Sequence, residues 1–154
     1  MLRGAPQKKK ATIRHTFTFY GHAQSVSRIQ KCNEWGCLLS AGDDGVVAVW
    51  DIGRRLLTRT LPLSRGSTDL ASSLQSRVSC TIVSMDVNPK GGDIVICIVD
   101  RADPLQQNHH VLLFDINGKL AQDYRIDGVV GCVLAVGPYV FVGSTKEVSV
   151  LDSC

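Results

Sequence analysis

The chain has 154 residues, 44% apolar and 20% charged, with a formal net charge of +3. That balance fits one folded domain able to bury a core and excludes an intrinsically disordered chain. The positive excess sits in Arg3, Lys8, Lys9 and Lys10. Residues 1–11 therefore read as a basic flexible tail, and the near-neutral remainder excludes a nucleic-acid-binding domain.

Six cysteines are present: Cys32, Cys37, Cys80, Cys97, Cys132 and Cys154. No pair is spaced Cys-x-x-Cys, so neither a zinc site nor any other metal or cofactor is expected. Cys80, Cys97 and Cys132 lie in apolar runs, where a thiol acts as a small hydrophobe. Reduced thiols point to a cytoplasmic setting. Cys32 and Cys37 can face each other across a hairpin, which leaves a redox pair open. The segment Met1–Lys10 has no apolar stretch of signal-peptide type. The uncharged stretch 128–145 is broken by Gly131, Gly137, Pro138 and Gly143, so it reads as strands and a turn rather than a membrane-spanning helix.

Helical periodicity is nearly absent. Short runs rich in Val, Ile, Leu or Phe recur instead, each closed by Gly, Asp, Asn or Pro, as in all-β sandwiches, barrels and propellers. In chain order, strands are predicted at 12–19, 25–31, 37–41, 46–50, 56–61, 79–87, 93–99, 110–115, 119–126, 130–135, 139–143 and 147–151. Asp43-Asp44-Gly45, the cluster from Asn88 to Asp93, and Asn117-Gly118 supply the tightest turns. The strands group into four-stranded meanders: 25–61, 79–126 and an incomplete unit, 130–154. Strand 12–19 stands as the last strand of a preceding unit. A repeat of this length is the mark of propellers and solenoids.

One unit carries a fuller pattern. Gly21-His22 is followed, 28 positions after the histidine, by Trp50-Asp51. Between them Leu38-Leu39-Ser40-Ala41-Gly42-Asp43-Asp44-Gly45 leads into the alternating strand Val46–Val49. This resembles the WD-repeat family. The resemblance implies that 12–154 is part of a WD-repeat β-propeller of about three four-stranded blades. It also implies a structural hydrogen-bond network in which Asp44 orients His22, His22 reaches Ser40, and Ser40 accepts the indole N–H of Trp50. In the second and third units Phe114-Asp115 and Leu151-Asp152 stand in the place of Trp-Asp.

The same residues form a Ser-His-Asp set. A hydrolase using His22, Ser40 and Asp44 is therefore an alternative, although Ser40 lacks a Gly-x-Ser-x-Gly elbow. Metal readings of His22 with Asp43 and Asp44, and of His109-His110 with Asp100 and Asp103, are weaker. Adjacent histidines on a strand point to opposite faces, and this pair reads as loop and surface. Gly53-Arg54-Arg55-Leu56 lacks the flanking residues of a paired-arginine lipid motif and reads as a solvated turn.

Val83-Ser84-Met85-Asp86-Val87-Asn88, Gly91-Gly92-Asp93-Ile94-Val95 and the run Val111 to Leu120 are similar to a late blade of the C-terminal propellers of BEACH-domain proteins. The likeness covers about a third of the chain. It implies a non-catalytic protein-interaction scaffold in vesicle trafficking or autophagy. The alternative is a WD-repeat adaptor in another complex, such as one recruiting ubiquitin-ligase substrates. The partners implied are proteins. Peripheral membrane association is compatible with the chain, and a direct transmembrane segment is not expected. Two long connections, 62–78 and 100–109, open at the same end of neighbouring units. They make Ser64, Arg65, Thr68, Asp69, Arg101, Asp103, Gln106 and Asn108 the partner-binding candidates. Three blades fall below the usual four to eight or so, which leaves three accounts open: a fragment of a longer protein, self-association to complete a ring, or an open sheet array that needs a partner.

Overall fold

A computed structural model describes residues 13–63, 80–100 and 108–153. Among these are eleven strands. The first sheet is β1 (Val26–Cys32), β2 (Cys37–Gly42), β3 (Val46–Asp51) and β4 (Leu56–Pro62). The second is β5 (Cys80–Val87), β6 (Ile94–Asp100), β7 (Asn108–Phe114) and β8 (Leu120–Ile126). The third is β9 (Val130–Val136), β10 (Tyr139–Ser144) and β11 (Val148–Asp152). Within each sheet every strand pairs antiparallel with the next in sequence. The turns explain this meander. Gly45 and Gly118 take φ values of +73° and +84°, a region that residues with a Cβ rarely adopt. A Cβ on Gly118 would in addition lie 2.8 Å from Leu61 of the first sheet.

The sheets stack face to face. Leu39, Val47, Val49 and Leu61 of the first sheet pack on Ile82, Ile94, Ile96, Ile98, Leu112 and Phe114 of the second. Val95, Cys97 and Val111 on the other face of the second sheet pack on Val130, Val133, Ala135, Val140 and Val142 of the third. The middle sheet is thus buried on both faces, which is why Ile94–Val99 reads as a continuous apolar run instead of an alternating one. Leu63, in the predicted connection 62–78, belongs to the first of these cores.

Polar side chains join the first strands of the three sheets. Gln30 donates to one oxygen of Asp86 at 2.9 Å, and the Ala135 amide donates to the other at 2.9 Å. Asp86, a buried carboxylate, therefore bridges β1, β5 and β9. Arg28 donates to the Val83 carbonyl (2.9 Å), the Val133 amide to the Ser84 hydroxyl (3.2 Å), and Asn88 to the Gly137 carbonyl (2.7 Å). Buried polar atoms satisfied in this way fix the relative position of the sheets as well as holding them together.

Three expectations are corrected. Residues 13–20 form no strand. A strand needs a backbone edge to pair with, and here the segment meets side chains instead: Phe19 lies 5.0 Å from the Trp50 ring and Phe17 packs edge-on to Phe19. His109 and His110 are buried strand residues, not loop and surface ones. Asn108 begins β7 in register with Asp100, so it belongs to the ladder and not to the preceding loop.

Candidate functional site

Two places in the stack bring chemically capable side chains together. The first is the outward face of the first sheet. Strand alternation sends Leu39, Val47 and Val49 into the core between sheets, and Ser40 and Trp50 to the opposite face. The chain leading into β1 crosses that face. A Cβ on Gly21 would lie 2.8 Å from the Trp50 ring, and one on Gly42 would lie 2.6 Å from both His22 Nδ1 and Asp44 Oδ1. Both glycines are thus required by close approach.

His22 Nδ1 lies 3.1 Å from Asp44 Oδ2, His22 Nε2 lies 2.7 Å from Ser40 Oγ, and Trp50 Nε1 donates to Ser40 Oγ at 2.7 Å. The indole can only donate, so Ser40 accepts from Trp50 and can turn its own proton to Nε2 of His22. The Nδ1 proton then goes to the carboxylate, and every group is satisfied. Asp44 also accepts from the Ala23 amide at 2.9 Å and the Val46 amide at 3.2 Å. Burial pushes the Asp44 carboxyl up, but the Ala23 amide, His22 and the Val46 amide outweigh it and hold its pKa below the ordinary value. Ser40 is 6% exposed.

The second place is a cavity of about 350 Å³ between the first and second sheets, lined by Trp35, Asp51, Thr58, Arg59, Ile94 and Asn117 among others. It lies at the end formed by the β1–β2, β3–β4, β5–β6 and β7–β8 turns. The long connections after β4 and β6 leave from the opposite end. Trp35 donates its indole N–H to the Pro89 carbonyl at 3.1 Å, and Arg59 donates to the Ile116 carbonyl, so both sheets contribute to the rim. The sequence reading missed this cavity. The available signal was Trp35, an aromatic side chain in a hairpin turn that stays exposed.

Of the loop candidates, Ser64, Arg65, Thr68, Asp69, Arg101, Asp103 and Gln106 lie outside the described residues. His109 and His110 face opposite ways. The Val130 amide donates to His109 Nδ1 at 3.3 Å, whereas His110 Nδ1 lies 2.9 Å from an Asp123 oxygen. The proton on His109 Nε2 is buried with no hydrogen-bond partner. Among the described residues no three His, Cys, Asp or Glu side chains are placed to share a metal ion. Cys32 and Cys37 are register partners and both are free thiols. Burial, and then the neighbouring Cys32, push the Cys37 thiol up.

No family model matches the chain, and no curated protein matches it. Solved structures do. The WD40 β-propeller domain of Doa1 superposes with a TM-score of 0.54 at 21% identity, over 84% of this chain and 36% of that one. The β-propeller domain of Cps50 (Swd1) from Myceliophteria thermophila gives 0.58 at 17% identity, over 85% of this chain and 36% of that one. The chain spans little more than a third of each of these structures. At this identity the likeness concerns the fold, and the fold of this chain is that of a partial WD40-type β-propeller.

Proposed function

We propose that this chain is a non-catalytic scaffold that holds a protein segment at the turn end of its first two blades. The observation that carries this reading is the cavity between the first and second sheets. Its apolar floor includes Val49, Val87 and Ile94, and its rim offers a carboxylate, a guanidinium and an amide from Asp51, Arg59 and Asn117. Concave, mostly apolar sites with a few converging polar groups are the usual form of a binding site.

The rival set, His22, Ser40 and Asp44, favours structure over catalysis. A nucleophile needs an exposed oxygen beside a pocket. The Ser40 oxygen is covered, and it is occupied by both Trp50 and His22. The trafficking context rests on the similarity of 83–95 and 111–120 to BEACH-domain propellers, and the cytoplasmic setting on the cysteine usage. Within that similarity, Ser84, Asp86 and Asn88 serve the joining of sheets.

The test is affinity capture with the wild-type chain and with Thr58→Arg and Asn117→Trp, which fill the cavity from its rim. Partners held by the wild type and lost by both variants, with melting unchanged, support the reading. Partners retained by both variants refute it.

A further inference from the structure

We infer that Cys32 and Cys37 are a reversible dithiol–disulfide couple, oxidised by small-molecule disulfides that enter through the cavity between the first and second sheets. The two residues are register partners across the β1–β2 hairpin. Directly opposed residues of an antiparallel pair have Cα atoms about 4.5–5.5 Å apart and side chains on the same face. A disulfide spans roughly 4.4–6.8 Å between Cα atoms. Both thiols belong to one core, Cys32 buried within it and Cys37 half-buried against it. Both are free. The backbone thus already stands where the bond needs it.

The other described cysteines lack this relation. Cys80 stands opposite Asp100, Cys97 opposite Ser84 and Val111, and Cys132 opposite Gly143. Access also differs. Cys97 is 0% exposed, and burial, then Cys132, pushes its thiol up to about 12. Cys37 instead lines the cavity, and the lining residues Trp35, Thr58 and Asn117 are exposed, so the cavity opens to solvent. Burial and then Cys32 raise the Cys37 thiol, whereas Arg59, another lining residue, acts in the opposite direction. Attack by Cys37 is accordingly slow at neutral pH, but a small disulfide can reach it.

The step is thiol–disulfide exchange. The Cys37 thiolate attacks one sulfur of a small disulfide, RSSR. A bond forms between Cys37 Sγ and that sulfur, and the other sulfur leaves as a thiolate. Cys32 then attacks Cys37 Sγ, and the second small thiolate leaves. The protons lost from Cys32 and Cys37 end on the two leaving groups. The protein dithiol is oxidised by two electrons, and RSSR is reduced to two RSH. Excess thiol reverses both steps. The closed bond ties together the ends of the turn Asn33-Glu34-Trp35-Gly36. Trp35 is the rim residue that donates to the Pro89 carbonyl, so oxidation fixes the rim of the cavity. Any effect on a bound segment rests on the function proposed above, whereas the couple itself does not.

The test exposes the folded, reduced full chain to hydroxyethyl disulfide and then alkylates the remaining thiols. Unfolding and cleavage after Glu34 place Cys32 and Cys37 on separate peptides that stay joined only through their disulfide. Mass spectrometry is expected to find the joined pair in the wild type, and dithiothreitol added to the folded chain is expected to remove it. Cys32→Ala deletes the second attacker and is expected to hold about tenfold more mixed disulfide at Cys37 than the wild type does. Cys37→Ala is expected to leave the buried Cys32 unmodified. Circular dichroism melting checks that each variant folds, and the wild-type readings stand without either. None of these readings involves a bound segment, so a failed affinity capture leaves them unchanged. A joined pair that is absent, that forms only in urea, or that dithiothreitol does not open in the folded chain would overturn the inference. So would a wild type that stops at the mixed disulfide, or modification of Cys32 in Cys37→Ala.

Discussion

The three sheets solve the same packing problem with different chemistry. Register aligns them: Leu38 stands opposite Trp50, Ile94 opposite Phe114, and Val140 opposite Leu151. Two residues further along the second strand, Ser40 of the first sheet corresponds to Ile96 of the second and Val142 of the third. In the second and third sheets this face meets a whole neighbouring sheet, and its residues join an apolar core. In the first sheet, among the described residues, the face meets the crossing segment that carries Phe19, Gly21 and His22. A single segment offers little area for burial. Directional bonds to His22 and the Ala23 amide hold it where dispersion alone would be weak.

The sharpest way to break this comparison is to truncate each equivalent residue. Ile96 is 0% exposed between two sheets. Ile96→Ala is expected to cost about 2–5 kcal/mol, from lost transfer energy plus a cavity that close-packed neighbours cannot fill. Ser40→Ala removes far less apolar contact but orphans the Trp50 N–H and the His22 Nε2. It is expected to cost about 1–3 kcal/mol. Urea unfolding of both variants measures the two numbers. A Ser40→Ala loss equal to that of Ile96→Ala would mean that the polar face supports the fold as strongly as the apolar one.

Trp50→Phe carries the second sheet's solution into the first. It keeps most of the aromatic volume and deletes one donor, leaving Ser40 bonded to His22, and is expected to cost about 1 kcal/mol. Combined with Ser40→Ala, the loss is expected to fall below the sum of the two single losses. The donor that Ser40→Ala strands is absent from the double variant. A strictly additive double-mutant cycle would show that Ser40 and Trp50 are not coupled, whatever their distance.

The contrast also explains what the sequence made legible. Blade one was readable because its polar residues occupy fixed places: Gly21 and Gly42 are forced by close approach, and Asp44 by two amides and an imidazole. The strands of the second sheet were readable from composition, but not its two-sided burial, because an apolar run such as Ile94–Val99 does not say which residue faces which neighbour. Residues 13–19 misled for the opposite reason. Their alternation states a preference for a strand, and a strand also needs an edge, which lies in another part of the fold. The ties through Asp86 and the cavity beside Trp35 join residues more than fifty positions apart, Gln30 to Asp86 and Trp35 to Pro89. No local pattern encodes such pairs.

The smallest expected effect separates the polar network from the buried histidine of the second sheet by pH. Burial, with His110 nearby, lowers the pKa of His109. Above about pH 6.5 the imidazole is neutral in both folded and unfolded chains, and stability is full. As pH falls below that value the unfolded chain takes up a proton that the folded chain resists, so stability declines toward the lowered folded pKa. The Asp44 pKa is also lowered, through its amide and His22 bonds against the opposing pull of burial. Its carboxylate is ionised in both states above about pH 4. Its contribution is lost only as pH falls further, through the folded value. Two acid limbs in separate windows are therefore expected in a plot of unfolding free energy against pH. His109→Gln keeps an acceptor for the Val130 amide and is expected to flatten the upper limb alone. Asp44→Asn is expected to flatten the lower limb alone. If either substitution flattens both, the two sites titrate as one unit and the division between a polar first sheet and an apolar second does not hold.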